Sequence, residues 1–164
     1  MRPRVLNGPL AQAERNGYLV IRMPEATIRD FQQAIFDPNV VGIVIVAHGV
    51  SGEIDLFRVD IDSGLPDTVD LIPNRFGPAE KHIDWPRVSP SLRFVVLMAC
   101  EGLQKELEWK LALTARTNGR ADGVAIYGYP GKVSSASLFL LSPLRNVFME
   151  QGIGSEETWW PPLE

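Results

Sequence analysis

A histidine and the only cysteine of the chain each follow a strand-like apolar segment. The first segment ends in Ala47-His48-Gly49, and the second ends in Ala99-Cys100. Both segments are rich in β-branched residues, as buried parallel strands are. Ligands of open α/β sheets bind at the carboxyl ends of the strands. If these two strands are neighbours, an imidazole and a thiol meet at that edge, which is the minimum apparatus for a cysteine nucleophile with its base.

Hydrophobic periodicity predicts the elements that position these residues. The predicted elements are core strands over 18–23, 41–47, 92–98 and 123–127, a strand or hairpin arm over 54–61, and helices over 25–36, 103–117 and 134–151. Pro143 is expected to kink or split the last helix. Alternating strands and helices predict an α/β fold with a mainly parallel sheet and helices on both faces, a three-layer αβα sandwich.

A proline-rich stretch over 62–90 separates the two segments. We predict a long connection there, with at most a short helix over 79–83. A loop of this length inside a small domain is more often functional or mobile than neutral.

Composition and charge limit the classes of protein. The 164 residues fit a single domain over 1–162, and we expect 163–164 to be vector-derived. A net charge of −4 without a basic cluster argues against a nucleic-acid partner. No apolar run reaches the ~20 residues of a membrane span, and no apolar stretch follows the N-terminal charges as in a signal peptide. Because one cysteine forms no internal disulfide, we expect a cytoplasmic protein.

The two strand ends together resemble the caspase-like peptidases, a group that includes caspases, metacaspases, legumain, gingipain-type enzymes and CHAT peptidases. In that group one strand ends in His-Gly, here His48-Gly49, and the next ends in Ala-Cys, here Ala99-Cys100. The histidine of caspases stands about 50 residues before the cysteine, and the same holds here. The resemblance spans about 18–151 and implies the caspase-haemoglobinase fold.

The resemblance also implies roles for these residues. Cys100 would attack a peptide carbonyl, and His48 would accept the thiol proton or protonate the leaving amine. The backbone N–H groups of Gly49 and Cys100 would form the oxyanion hole, which stabilises charge on the carbonyl oxygen. We therefore expect a cysteine endopeptidase that acts on a peptide or protein substrate through an acyl-enzyme, without a cofactor or metal. The sequence leaves the oligomeric state open.

Met98 stands where strict caspases have glutamine, which excludes that subgroup but not its relatives. The alternative is a catalytically inactive module of the same fold with a binding or regulatory role, favoured by the short chain, by the lack of an orienting residue for His48 and by Glu101, which follows Cys100 directly. A carboxylate beside a sulfur opposes formation of the thiolate. We also assign no third residue to orient His48. A third interpretation is a flavodoxin-like or Rossmann-like domain with an incidental thiol, in which the two strand ends need not be adjacent.

Candidate substrate-binding residues lie near the dyad. Glu53, Asp55 and Glu101 are compatible with a basic residue at P1, the substrate position before the cleaved bond. Ser134 and Ser135 follow the last core strand, where the caspase-like relatives have a wall of the P1 pocket, but they would equally cap the following helix.

The sequence does not match two other kinds of binding site, a phosphate loop and an EF-hand calcium loop. Residues 49–52 lack the full spacing of a phosphate loop, and a strand-like segment follows them rather than a helix. The acidic stretch from Asp60 to Asp70 lacks the ligand spacing of an EF-hand.

Overall fold

The structure, a computed structural model, describes residues 6–60, 70–114, 123–133, 141–155 and 159. In chain order the elements are α1 (Asn7–Arg15), α2 (Ile28–Phe36), β1 (Gly42–Val46), β2 (Gly49–Val50), β3 (Glu53–Asp60), β4 (Asp70–Phe76), β5 (Phe94–Met98), α3 (Glu106–Thr114), β6 (Ala125–Gly128) and α4 (Ser142–Glu150). Short 3-10 helices cover Trp85–Arg87 and Gly102–Lys105. The mixed α/β class predicted from the sequence is confirmed. None of the described helices combines the length and apolar character needed to cross a bilayer.

A parallel sheet of three strands in the order β1-β5-β6 forms the centre of the fold. All five residues of β5 are buried, which explains the uninterrupted apolar sequence of this strand. In the register between β1 and β5, Val46 lies opposite Met98. The segments that continue into His48 and Cys100 are therefore neighbours and leave the sheet at the same edge.

Two apolar clusters cover the two faces of this sheet. On one face, residues of α2, α3, β3 and β4 pack against the side chains of Ile45, Leu97 and Ile126. On the other face, residues of α1 and α4 pack against Val96 and Met98. The described sheet is thus enclosed by helices on both sides.

A second, antiparallel sheet has the order β2-β3-β4. Ser51 and Gly52 form the two-residue turn between β2 and β3, and both have positive φ, 51° and 83°. This is the turn geometry that matches the twist of a tight hairpin. The sequence predicted only the β3 arm. It missed β4 because Pro73 argues against a central strand, whereas β4 lies at the sheet edge, where proline is tolerated.

The predicted core strand over 18–23 is wrong. In the structure this segment forms no strand, and Leu19 and Ile21 have relative exposures of 89% and 69%. Tyr18 and Val20 nevertheless pack against the cluster that contains α1 and α4. Alternating side chains thus produced the strand pattern without a neighbouring strand to pair with.

Several helix boundaries also differ from the prediction. Helix α1 was not predicted. Helix α2 begins at Ile28 because Thr27 caps it, and the expected helix over 79–83 is replaced by the 3-10 turn Trp85–Arg87. Pro143 lies in the first turn of α4, which suits proline because the first turn needs no N–H donor. The remaining parts of the predicted last two helices, over 115–117 and 134–140, lie outside the described residues, as do 163–164.

Candidate functional site

His48 and Cys100 occupy equivalent positions past the ends of adjacent strands. Each lies two residues beyond the paired Val46 and Met98, and the N–H of Ala47 donates to the carbonyl oxygen of Met98 at 3.4 Å. The His48 side chain is exposed, and Cys100 is half-buried. The structure therefore brings the two predicted dyad residues to one edge of the sheet, where the imidazole is open to solvent.

The backbone around Gly49 approaches that of Cys100 closely. A Cβ on Gly49 would lie 2.6 Å from the carbonyl oxygen of Cys100 and 2.8 Å from the Cβ of Ala99. Real Cβ atoms do not come this close to other heavy atoms, so a residue without Cβ is required at this position. Glycine after the histidine is explained by this crowding between the two strand ends.

The N–H groups of Gly49 and Cys100, which are expected to form the oxyanion hole, take no part in the hydrogen bonds between β2 and β3. The N–H of Asp55 donates to the carbonyl oxygen of His48 at 2.9 Å. Because hydrogen-bonded and non-hydrogen-bonded pairs alternate in antiparallel ladders, the Gly49–Ile54 pair is non-hydrogen-bonded, and the N–H of Gly49 points away from β3. None of the hydrogen bonds between described residues uses the N–H of Cys100.

The thiol of Cys100 is held by the backbone of Val133. Its Sγ lies 3.2 Å from the carbonyl oxygen of Val133, to which it donates, and 3.3 Å from the N–H, from which it accepts. Within the described part of the chain, no hydrogen bond joins this sulfur to the ring of His48. The thiol thus faces the segment after β6, a contact that the sequence did not predict.

The same segment is fixed to the residues that follow the cysteine. The N–H of Glu101 donates to the carbonyl oxygen of Gly131 at 2.9 Å, and the N–H of Leu103 donates to that of Tyr129 at 3.1 Å. Glu101 has φ 57°, in the left-handed region that non-glycine residues seldom adopt. The chain therefore turns sharply after the thiol and keeps 129–133 against it.

The three carboxylates proposed to bind a basic P1 residue have different partners. Glu53 forms an ion pair with Lys105 at 2.9 Å, and Asp55 forms one with Arg75 at 3.0 Å. The hydrogen bond and charge of Asp55 raise the pKa of Arg75.

Glu101 instead accepts a hydrogen bond from the neutral amide of Gln104 at 2.6 Å. Its negative charge is thus not matched by this partner. The sequence did not predict the two ion pairs, because they join elements that are distant along the chain. Ser134 and Ser135 lie outside the described residues.

A polar cavity of about 260 Å³ lies beside the hairpin. Its lining includes Glu53, Arg75, Lys81 and His82. His82 is exposed, as expected for a residue of the connection before β5. The described residues contain no group of three or more His, Cys, Asp or Glu side chains that could hold a metal ion.

Comparisons with known proteins give no relative for this chain. No family model matches it, no curated protein matches it, and no solved structure matches it.

Proposed function

We propose that this chain is a cysteine endopeptidase of the caspase-like group, with Cys100 as nucleophile and His48 as its acid–base partner. The observation that carries the proposal is the pairing of β1 with β5, which leaves the two side chains at equivalent positions on one sheet edge. The packing of helices against both sheet faces supports the finer assignment to a three-layer, caspase-like sandwich. The single cysteine, which forms no internal disulfide, favours a cytoplasmic location.

The chemistry follows from the groups at this edge. The sulfur of Cys100 passes its proton to the imidazole of His48, attacks the carbonyl carbon of a peptide bond and forms a C–S bond. The developing oxyanion accepts hydrogen bonds from the N–H groups of Gly49 and Cys100. The imidazolium of His48 gives its proton to the leaving amine as the C–N bond breaks, and water then hydrolyses the thioester.

Access of the thiol to a substrate requires a local change. The two hydrogen bonds between Cys100 and Val133 occupy the sulfur. A substrate that binds in extended form competes for the same backbone N–H and carbonyl of Val133. Binding of the substrate thus releases the thiol for attack.

We assign the preference for a basic P1 residue to Glu101. Glu53 and Asp55 already form ion pairs, whereas Glu101 is bound to the neutral amide of Gln104. Glu101 also directly follows the nucleophile. Replacement of Glu101 by glutamine should raise KM for substrates with arginine or lysine at P1 and leave KM for neutral substrates unchanged.

The two histidines of the chain offer a matched experiment. Wild-type protein and the variants His48→Ala, His82→Ala and Cys100→Ser are incubated with a peptide library and, separately, with a mild thiol-directed electrophile. We expect cleavage that Cys100→Ser abolishes and His48→Ala lowers about 10²–10⁴-fold in kcat. Labelling of Cys100 should be slower in His48→Ala than in the wild type, and His82→Ala should be labelled at the wild-type rate. Equal labelling rates in the two histidine variants contradict the dyad.

The runner-up is an inactive binding or regulatory module of the same fold. The capture of the thiol by Val133 and the presence of Glu101 beside it favour this alternative. Folded protein that cleaves no library peptide, while its thiol still reacts faster with His48 present, supports the module over the peptidase.

A further inference from the structure

Asp55 lies directly opposite His48 at the base of the hairpin. The register of β2 and β3 places Gly49 opposite Ile54, so one step further along the ladder the facing residues are His48 and Asp55. The N–H of Asp55 donates to the carbonyl oxygen of His48 at 2.9 Å, as this step requires. Residues that face each other in an antiparallel pair project to the same side, with Cβ atoms about 5 Å apart. The carboxylate and the imidazole are therefore within reach of each other.

Arg75 extends this row onto β4. It lies opposite Asp55 in the register between β3 and β4. Ile54 and Leu56, the neighbours of Asp55 along β3, are buried in the core. Because successive side chains of a strand point to opposite faces, the row lies on the outer face of the antiparallel sheet. That face thus carries an imidazole, a carboxylate and a guanidinium on three adjacent segments of the chain.

The carboxylate of Asp55 is held by Arg75 and retains further acceptor capacity. The Nε and Nη2 groups of Arg75 donate to its Oδ1 and Oδ2 at 3.0 and 3.3 Å. An ionised carboxylate offers about four lone-pair sites, and Arg75 uses one on each oxygen. The side chain of Asp55 is only 23% exposed, against 47% for Arg75. The ion pair therefore fixes the direction of the carboxylate and leaves room for the N–H of an imidazole.

The other carboxylates near the dyad are not aligned with the imidazole. Glu53 lies opposite Val50 and is bound to Lys105, and Glu101 lies on the segment that follows the thiol. The side chain of His48 is exposed, and none of the hydrogen bonds between described residues uses its ring. The carboxylate that faces His48 across the ladder is therefore the one placed to orient it.

We infer that Asp55 is the positioning residue of His48 and that Arg75 holds Asp55 in place for this role. After a rotation of the imidazole about its side-chain torsions, the carboxylate accepts a hydrogen bond from one ring N–H. This bond fixes the tautomer, so the other ring nitrogen receives the thiol proton of Cys100. The negative charge also favours the imidazolium that results. The catalytic role rests on the proposed function, whereas the contact itself does not.

Isosteric replacement of Asp55 tests the catalytic role. Asp55→Asn keeps the shape of the side chain and removes its charge. It should lower kcat about 10–100-fold and leave KM unchanged, because Asp55 acts through His48 and does not touch the substrate. Asp55→Glu keeps a carboxylate and should recover part of the rate, and in a His48→Ala background Asp55→Asn should cost nothing further. A higher KM for substrates with a basic P1 residue, at unchanged kcat, assigns Asp55 to substrate binding and overturns the inference.

Arg75→Gln separates positioning of the imidazole from support of the strands. This variant breaks the same ion pair as Asp55→Asn, but it keeps the carboxylate opposite His48. Its loss in kcat should therefore be no more than about fivefold, in keeping with a weak surface ion pair. Equal losses in the two variants show that the ion pair only joins β3 to β4, and they overturn the inference.

Long-range proton–nitrogen NMR spectra of the two histidines detect the contact without a substrate. At about pH 8 an ordinary imidazole is neutral, and its nitrogen shifts report which tautomer is present. His48 should show one tautomer in the wild type and in Asp55→Glu but a mixture in Asp55→Asn, while His82 gives the same spectrum in all three. An unaltered His48 spectrum in Asp55→Asn overturns the inference. A single tautomer at His48 in a protein that cleaves no peptide supports the contact and counts against the peptidase proposal alone.

Discussion

The indole N–H of Trp109 donates to the carbonyl oxygen of Gly52 at 2.8 Å in the interior of the protein. Trp109 lies on α3, is fully buried, and contacts the rings of Phe31, Phe76 and Trp85 edge-on at centroid distances of 6.0–6.3 Å. Gly52 belongs to the turn between β2 and β3. One hydrogen bond therefore ties the hairpin that carries Gly49 to the aromatic part of the core.

Replacement of Trp109 by phenylalanine should destabilise the protein by about 2–4 kcal/mol. The variant leaves the buried carbonyl of Gly52 without its donor and opens a cavity beside the three rings. Urea unfolding measures the change in free energy. Glu108→Gln, at an exposed position on the same helix, serves as the control and should change stability by less than about 0.5 kcal/mol. A loss below about 1 kcal/mol in Trp109→Phe shows that the hydrogen bond does not anchor the hairpin.

A methyl group at Gly49 should disturb the candidate site directly. In Gly49→Ala the new Cβ meets the carbonyl oxygen of Cys100 and the side chain of Ala99, both closer than 3 Å. Overpacking of this kind costs about 1–3 kcal/mol, and here it separates the two strand ends. We expect a lower free energy of unfolding in urea and slower labelling of Cys100 by a thiol reagent.

Gly131→Ala is the matched control for this change. Position 131 lies in the segment that contacts the residue after the thiol, but a Cβ there meets no atom within 4 Å. Stability should stay within about 0.5 kcal/mol of the wild type. Similar losses in both glycine variants contradict the close approach at Gly49.

The adjacency of His48 and Cys100 was predictable because the strands that precede them have a clear sequence pattern. β1 and β5 are short apolar runs rich in valine and isoleucine, and parallel strands of that kind pair in the centre of a sheet. The segment over 18–23 has a similar composition but forms no strand. Composition reports the preference for an extended backbone, and it does not report whether a neighbouring strand is available.

The contacts of the site could not be predicted in the same way. The hydrogen bonds between Cys100 and Val133 join residues 33 positions apart. The pairing of Asp55 with Arg75 depends on the register of β4. This strand was not predicted because it contains Pro73. Side-chain partners of this kind follow from the tertiary arrangement, for which a single sequence carries no local signal.

The start of α2, in contrast, had a local signal in the pattern Thr27-Ile28-Arg29-Asp30. The hydroxyl oxygen of Thr27 accepts from the N–H of Asp30 at 3.1 Å, and the Asp30 carboxylate accepts from the N–H of Thr27 at 2.8 Å. Each bond satisfies a backbone donor that the first turn leaves unpaired. This reciprocal pair is a capping box, and it fixes the helix that buries Phe31 and Ile35.

Loss of this cap should lower stability by a predictable amount. Thr27→Ala removes the acceptor for the N–H of Asp30, and the free energy of unfolding in urea should fall by about 1 kcal/mol. Thr27→Ser keeps a hydroxyl in the same place and should retain most of the stability. Equal losses in the two variants indicate that the methyl group of Thr27, and not its hydroxyl, supports the helix.

Tyr127 and Tyr129 should make the fold sensitive to alkaline pH. Burial disfavours the charged phenolate and raises the pKa of both residues above the usual 10.0. At Tyr127 a hydrogen bond from Gln151 opposes this shift, whereas the bond that its hydroxyl donates to Glu150 adds to it.

Above pH 10 the unfolded chain loses these protons while the folded chain keeps them. The folded state then binds more protons, so the free energy of unfolding falls as pH rises. The stabilisation by these two tyrosines is complete below their pKa in the unfolded chain and is lost as the pH rises through their pKa in the folded chain.

The slope of stability against pH measures this effect. Urea unfolding of the wild type between pH 8 and pH 11 should show a flat region followed by a decline above about pH 10. In Tyr127→Phe the decline should be shallower, because one of the two protons no longer contributes, and in Tyr127→Phe/Tyr129→Phe it should be shallower still. Phenylalanine at position 127 also removes the bond to Glu150, so the variants are expected to be less stable at pH 8. The diagnostic quantity is therefore the slope and not the absolute stability. The same slope in all three proteins assigns the alkaline loss to other groups.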